Sequence, residues 1–329
     1  NTDFEHMTDK YKQLIYLVKP YIPKLSHGYE AARLLEMYSI SLYQETLDGW
    51  KELSDRAAHM YEQLNMTARR ASIGLFRSTV KFMDRDYKKA LEILQKERSE
   101  LEGKHAFIDH MTRVDYDYNE AAIYFALGDS ESAKRVMESA IDYSRENGIF
   151  YRIDDLYRLA AAEAMMARKT EKRLYYTEKL KLYGEFADDM HSILFCELMQ
   201  VESHIFEQQY NEALSIIHRC LSEGKLDEIL EPYFFLGKGQ AQWGLGQFNE
   251  ALESLDKVKG PDYLRHPFDL SILYSVDSYK ARCHLELGSR EEAERLAQTA
   301  RDNIYPLPHT PYKDFIMETY DAIKGNSHK

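Results

Sequence analysis

Apolar and polar positions follow a helical period through most of this chain. In the stretch NEAAIYFALGDSESAKRVMESA, Tyr124 and Leu127 fall on one face of a helix. Gly128 can then end that helix in the left-handed conformation. Asp129 or Ser130 can cap a following helix. The pattern therefore predicts two helices joined by a sharp turn, with small residues where the helices meet.

The same helix–turn–helix pattern recurs with a period near 40 residues. One alanine of the second helix aligns the copies, and the stretch RLAAAEAMMARKTEKRLYYTEKL fills the single gap of double length. The aligned residues are Ala90, Ala133, Ala213, Ala251 and Ala293. A repeat of this length is the signature of a solenoid of helical hairpins. We predict an all-α fold, a right-handed superhelical solenoid of hairpins closed by a C-terminal capping helix.

The repeated phrase resembles the tetratricopeptide repeat (TPR), with a small residue, an aromatic, a glycine and then NEAL or EEA. AQWGLGQFNEALESL and ARCHLELGSREEAERLAQTA show it most clearly. That repeat usually has about 34 residues, so the helices here should be longer by a turn or more. The expected division is a helical N-terminal region (1–66), peptide-binding repeats (67–308) and a capping and dimerisation helix (309–329).

Composition narrows the classes of function. Only 15 Gly and 8 Pro occur in 329 residues, which argues against an all-β fold with many tight turns. The net charge of −12 argues against direct binding of nucleic acid by the repeats. Three widely spaced cysteines give no disulfide framework, and no apolar run is long enough for a membrane span. We expect a cytoplasmic protein that does not bind a membrane.

Catalytic and metal-binding patterns are weak. The GKGQ stretch at Gly237–Gln240 lacks the strand and the Lys-Ser/Thr ending of a phosphate loop, so helix packing explains it better. The Cys220 and Cys283 neighbourhoods each offer one nearby histidine, too few ligands for zinc. We predict no catalytic residue, no metal site and no cofactor.

The predicted function is therefore binding on the concave surface, which the first helix of each hairpin lines. In the tetratricopeptide family an Asn at the position of Asn119 often hydrogen-bonds the backbone of a bound peptide. Acids on the inner face would suit an Arg side chain, and a guanidinium would suit a free carboxyl terminus. We expect a short linear peptide that contains Arg. The candidate residues are Tyr118, Asn119, Phe125, Arg152, Glu163, Glu202, Gln240, Ser278 and Arg282.

The whole chain resembles the tetratricopeptide peptide-pheromone receptors of Gram-positive bacteria and their phages. AARLLEMYSISLYQETLD, together with NEAAIYFALGDSESA, is most similar to the arbitrium receptors of phage lysis–lysogeny communication. The resemblance implies quorum sensing through a re-imported peptide and regulation of transcription. Most such receptors carry an N-terminal helix-turn-helix, and no convincing one precedes Tyr29. DNA contact is therefore expected only through a domain not visible in this segment.

Two alternatives remain open, and one assembly is predicted. The chain could be an adaptor that binds a protein segment, or a Rap-type phosphatase or inhibitor acting on a response regulator, with Gln13 or Gln44 as conceivable catalytic groups. The resemblance also implies a homodimer. We place its contact in the last repeat and the helix at 312–323, because that helix is rich in apolar residues: Phe315, Ile316, Met317, Tyr320 and Ile323.

Overall fold

The described part of the chain is entirely helical apart from turns and loops. Fifteen α-helices follow a short 3-10 helix at Lys19–Lys24, and no strand occurs in this part of the chain. This confirms the predicted all-α class of helical hairpins. The computed structural model describes residues 10, 12–14, 16–103, 108–259 and 266–325.

The chain divides into two compact units, Asn1–Ile123 and Tyr124–Lys329. Helix α5 runs from the first unit into the start of the second. The predicted boundaries near residues 66 and 308 stay predictions, and parts of both predicted terminal segments lie outside the described residues. The helices of the first unit are α1 (Tyr29–Gln44), α2 (Trp50–Gln63), α3 (Thr67–Met83), α4 (Tyr87–Gly103) and most of α5 (His110–Ala126).

The second unit continues the hairpins to the C-terminal helix. Its helices are α6 (Ser130–Glu146), α7 (Ile153–Met166), α8 (Thr170–Ala187), α9 (Met190–Phe206), α10 (Tyr210–Ser222), α11 (Glu231–Gly244), α12 (Phe248–Leu255), α13 (Pro267–Glu286), α14 (Arg290–Ile304) and α15 (Pro311–Gly325). Helices α7, α9, α11 and α13 contact one another in succession, in addition to their hairpin partners. These four helices therefore lie on the inner side of the curve within this unit.

In the first unit, α1 packs on α2 and α3 packs on α4. The core includes the fully buried Leu35 and Tyr61. A charged cluster joins three of its helices, since Arg70 lies 2.6 Å from Glu97, 2.7 Å from Glu100 and 3.0 Å from Glu62. This unit thus combines an apolar core with a network of ion pairs.

The turn predicted at Gly128 is present. Gly128 has a φ of 80°, the left-handed conformation that a glycine adopts without strain. Asp129 is the N-cap of α6, and its Oδ1 accepts a hydrogen bond from the Ser132 backbone N–H at 3.1 Å. The five aligned alanines are each no more than 2% exposed and each is the fourth residue of its helix. The small residues therefore mark close helix contacts, as the pattern predicts.

The glycines of the GKGQ stretch serve helix packing, as predicted. A methyl group on Gly239 would lie 2.5 Å from the Leu255 side chain, and one on Gly237 would lie 3.0 Å from Val201. Both glycines are inside α11. They let α11 approach α12 and α9 more closely than a side chain would allow.

Candidate functional site

A cavity of about 300 Å³ lies on the inner side of the second unit. Helices α9, α11, α13 and α15 supply most of its walls. The lining mixes acids with aromatic rings, so it can contact a cationic or amphipathic group. Its walls include Glu202, Gln240, Trp243, Tyr279, Tyr312 and Phe315.

Glu202 is a buried acid in this cavity, with 6% of its surface exposed. Its Oε2 accepts a hydrogen bond from the Tyr312 hydroxyl at 3.1 Å. Burial raises the pKa of the Glu202 carboxyl to about 7, while the bond from Tyr312 and the charge of Arg173 act in the opposite direction. Ionisation of the Glu202 carboxyl group is therefore costly here, and a ligand cation beside it would lower that cost.

Arg282 is a cation on the inner helix α13, which is separated from α9 by α11. Its guanidinium carbon lies 4.5 Å from the ring centre of Phe315 and 5.4 Å from that of Trp243. Its Nε donates to Thr319 Oγ1 at 2.8 Å. Burial lowers the pKa of Arg282, partly offset by Tyr279 and Glu318. No carboxylate of the described residues lies within ion-pair distance of this guanidinium, so it can bind a ligand carboxylate.

Two further predicted residues are buried nearby on the inner helices. Gln240 on α11 is 2% exposed, and Ser278 on α13 is fully buried. Among the described residues, the Gln240 Oε1 and the Ser278 Oγ have no hydrogen-bond partner. Leaving such a group unpaired typically costs about 1–3 kcal/mol. The Gln240 oxygen, in the cavity wall, is therefore a hydrogen-bond acceptor that the described residues do not use.

Phe125 lies at a second cavity of about 320 Å³ in the same unit. Its ring centre is 5.7 Å from that of Phe268 and 5.1 Å from that of His266. Pro308 and Thr310, from the segment before α15, also line this cavity. Phe125 is thus placed in an aromatic cluster rather than beside Glu202.

Arg152 and Glu163 do not line either cavity. Arg152 precedes α7, and its Nε bonds Asp155 Oδ2 at 2.9 Å. Glu163 is 3% exposed, and burial raises the pKa of its carboxyl. Its electrostatic neighbours include Lys134 of α6 and Lys172 of α8. Glu163 therefore lies away from the cavity that Glu202 lines, with these lysines as electrostatic neighbours.

Tyr118 and Asn119 belong to the first unit, on α5. Both are half-buried. The Asn119 Nδ2 donates to the Asp115 backbone carbonyl one turn earlier, at 2.7 Å. One amide hydrogen is thus used within the helix itself, and the predicted contact with a peptide backbone stays a prediction.

Sequence reasoning missed the aromatic contribution of the C-terminal helix. Tyr312 is 6% exposed and reaches Glu202 across 110 residues of sequence. The Phe315 ring stacks on Tyr279 with 4.4 Å between ring centres. A spacing of three and then four residues places Tyr312, Phe315 and Thr319 on one helix face. That spacing was the available signal.

The apolar residues that motivated the predicted homodimer pack inside the chain. Ile316 is fully buried against Ala300 and Ile304, and Ile323 is buried against the cluster around Ala293. Helix α15 contacts both α13 and α14, so it caps the last hairpin. It offers less exposed apolar surface than its sequence indicated, and homodimerisation stays a prediction.

The described residues also bear on the metal, cysteine and membrane expectations. In the described ranges, no group of three or more His, Cys, Asp or Glu residues is placed to hold a metal ion. Cys196, Cys220 and Cys283 are buried and unbridged. Gln13 and Gln44 are both exposed. None of the helices in the described part combines the length and hydropathy that a membrane crossing requires.

Solved structures of other proteins share this architecture. NprR in complex with its cognate peptide NprX aligns with a TM-score of 0.60 at 16% identity, over 87% of this chain and 84% of that one. A tetratricopeptide repeat protein from Parabacteroides merdae aligns with a TM-score of 0.55 at 14% identity, over 96% and 99%. The chain has the tetratricopeptide-repeat fold.

A third match extends the same fold to a longer protein. Yeast Tom70 aligns with a TM-score of 0.51 at 15% identity, over the full length of this chain and 61% of that one. No family model and no curated protein sequence matches the chain. At these identities the likeness establishes the fold, and the function rests on the site.

Proposed function

We propose that this protein is an intracellular receptor for a short signalling peptide, bound on the inner face of its second unit. The observation that carries the proposal is a buried acid, Glu202, that lines the cavity, together with a cation, Arg282, that lies against the Trp243 and Phe315 rings of its wall. These opposite charges lie on inner helices, and each is hydrogen-bonded to an uncharged hydroxyl. A peptide with an Arg side chain and a free carboxyl terminus would place an opposite charge directly beside each of them. Gln240, which lines the cavity, would then pair with its backbone.

The remaining features of the proposal come from the resemblance to pheromone receptors. NprR, a protein of the same fold, is solved with its cognate peptide, which supports peptide recognition by this architecture. We propose a cytoplasmic, homodimeric regulator of transcription of the phage lysis–lysogeny type, which contacts DNA through a separate domain. The function is binding rather than catalysis.

The primary test is binding of a synthetic hexapeptide pool in which Arg is fixed at each position in turn. Fluorescence polarisation should identify a bound member, and calorimetry should then give its affinity. Replacing its Arg with citrulline should weaken binding about thirty-fold or more, because Glu202 loses its ionic partner. Glu202→Gln should cause a similar loss, and the two changes together should cost little more than either alone.

Matched variants locate the site. Glu163→Gln removes another buried acid that lies outside the cavity, so it should leave the affinity nearly unchanged. A loss at Glu163 with none at Glu202 would contradict the placement of the site.

The adaptor alternative has one observation in its favour. Helix α8 exposes large apolar side chains on its outer side, including Leu174, Leu182 and Phe186, which are 57%, 52% and 80% exposed. Such a surface is typical of protein contacts. If the chain is an adaptor, Leu182→Ser should weaken capture of its protein partner, and no hexapeptide should bind the inner face.

A further inference from the structure

Helix α15 makes two different kinds of contact with the rest of the second unit. One face is apolar, with Ile316 and Ile323 packed on the last hairpin. The other face carries Tyr312, Phe315 and Thr319, which reach the inner helices. This second face makes the contacts with Glu202 and Arg282 described above.

The contacts of this second face are weaker than a charged ligand would make. The Tyr312 hydroxyl donates a hydrogen bond to Glu202, and Arg282 donates one to the hydroxyl of Thr319. Neither hydroxyl carries a charge, whereas a ligand cation and carboxylate would add direct Coulomb attraction in a partly buried site. One helix thus satisfies both charges of the candidate site with neutral groups.

The chain between α14 and α15 holds this face in place. Lys313 Nζ donates to the backbone carbonyls of Tyr305 and Leu307, at 2.8 and 2.6 Å. His309 and Pro311 line the second cavity, and Pro311 and Asp314 line the first. The start of α15 therefore forms part of the wall of both cavities.

We propose that α15 is an intramolecular competitor of the peptide ligand. A bound peptide contacts Glu202 and Arg282 and displaces Tyr312 and Thr319 from them. The inference rests on the proposed function. It names α15 as the element that reports binding. The Tyr312 and Thr319 side chains leave the two charges while Ile316 and Ile323 stay packed on the last hairpin, so the fold is preserved.

An internal competitor lowers the apparent affinity for peptide in proportion to its own occupancy. Tyr312→Phe removes the hydroxyl at Glu202 and keeps the ring, and Thr319→Val removes the hydroxyl at Arg282 and keeps the volume. Each should tighten hexapeptide binding about two- to tenfold, the equivalent of one hydrogen bond. Tyr320→Phe is the matched control, because the Tyr320 ring contacts Arg301 rather than either charge.

The affinity measurement separates a competitor from a component of the site. Tighter binding by Tyr312→Phe and Thr319→Val, with no change for Tyr320→Phe, supports the inference. Equal or weaker binding overturns it, because α15 would then be neutral or part of the ligand's own contacts.

Hydrogen exchange tests α15 without any peptide. The amides of residues 311–319 should exchange about two- to tenfold faster in Tyr312→Phe than in Tyr320→Phe, while those of α14 stay unchanged. Equal rates in the two variants overturn the inference. If no hexapeptide binds wild type or variants, the proposed function and the displacement both fail. The exchange rates then decide separately whether the hydroxyl contacts hold the helix.

Discussion

Two hairpins of the second unit solve the same packing problem differently. In the hairpin of α13 and α14, the fourth residue of the second helix is Ala293, fully buried between helices. In the hairpin of α7 and α8, the fourth residue of the second helix is Arg173. Arg173 is 7% exposed, and it donates to the Met199 carbonyl at 2.9 Å and to Ser203 Oγ at 2.8 Å.

The difference changes how neighbouring repeats meet. Alanine permits close contact through apolar surface, whereas the guanidinium of Arg173 bridges α8 to α9 through hydrogen bonds. Arg173 also lines two surface crevices of about 380 and 320 Å³. The α13–α14 hairpin, called here the regular hairpin, is held by close packing. The α7–α8 hairpin, the irregular one, is held by polar contacts beside Glu202. The irregular hairpin therefore carries the charge chemistry next to the candidate site.

The strongest test of this comparison places an arginine, as at Arg173, at the alanine position of the regular hairpin. Ala293→Arg should destabilise the protein by about 4 kcal/mol or more, because the site offers a large cation neither room nor partners. Urea unfolding would measure the loss. Thr299→Arg, on the exposed face of the same helix, should change stability by about 0.5 kcal/mol or less. A loss below about 1 kcal/mol for Ala293→Arg would show that both hairpins tolerate bulk alike.

Glu202 should make the irregular region sensitive to pH. Its folded pKa of about 7 lies above its unfolded value. Its contribution to stability is therefore fully present below about pH 4.3 and is lost as the pH rises to 7. Arg173, Arg168, Asp314 and Glu318 face the same region.

Glu202→Gln should remove this pH dependence, since the amide cannot ionise. At pH 8 it should stabilise the protein by up to about 3 kcal/mol, and at pH 5 by about 1 kcal/mol or less. Thermal unfolding at both pH values would measure the difference. A stabilisation of equal size at both pH values would contradict ionisation as its cause.

Substitution of Arg173 should change the stability of the protein less than the changes above. Arg173→Ala should cost about 2–3 kcal/mol, because it removes the packing of the long side chain together with its two hydrogen bonds. Arg173→Met keeps the volume and removes the buried charge, so its change should stay within about 1 kcal/mol. Chemical denaturation of both variants would test this. Equal losses would show that the charge, and not the volume, holds α8 to α9.

The same contrast between the two hairpins explains which features could be predicted from the sequence. The alanine period predicted the hairpins because close packing restricts residue type at the fourth helix position. It found α7 and α8 only by spacing, since Arg173 breaks the pattern. On the inner face, Glu202, Gln240 and Arg282 were anticipated from repeat register. Their contacts with Tyr312 and Thr319 were not, because those contacts join segments up to 110 residues apart.

The outer face of α8 should give the smallest effect on stability. Phe186 is 80% exposed, and its ring stacks on that of Phe150 with 6.1 Å between centres. Phe186→Ser should change the free energy of unfolding by about 0.5 kcal/mol or less, because the side chain is already in water. In α14, Leu296 is 7% exposed at the hairpin contact, so Leu296→Ser should cost several times more. Parallel urea titrations would compare the two. A large loss at Phe186 would mean that the irregular hairpin depends on its outer aromatic pair, unlike the regular one.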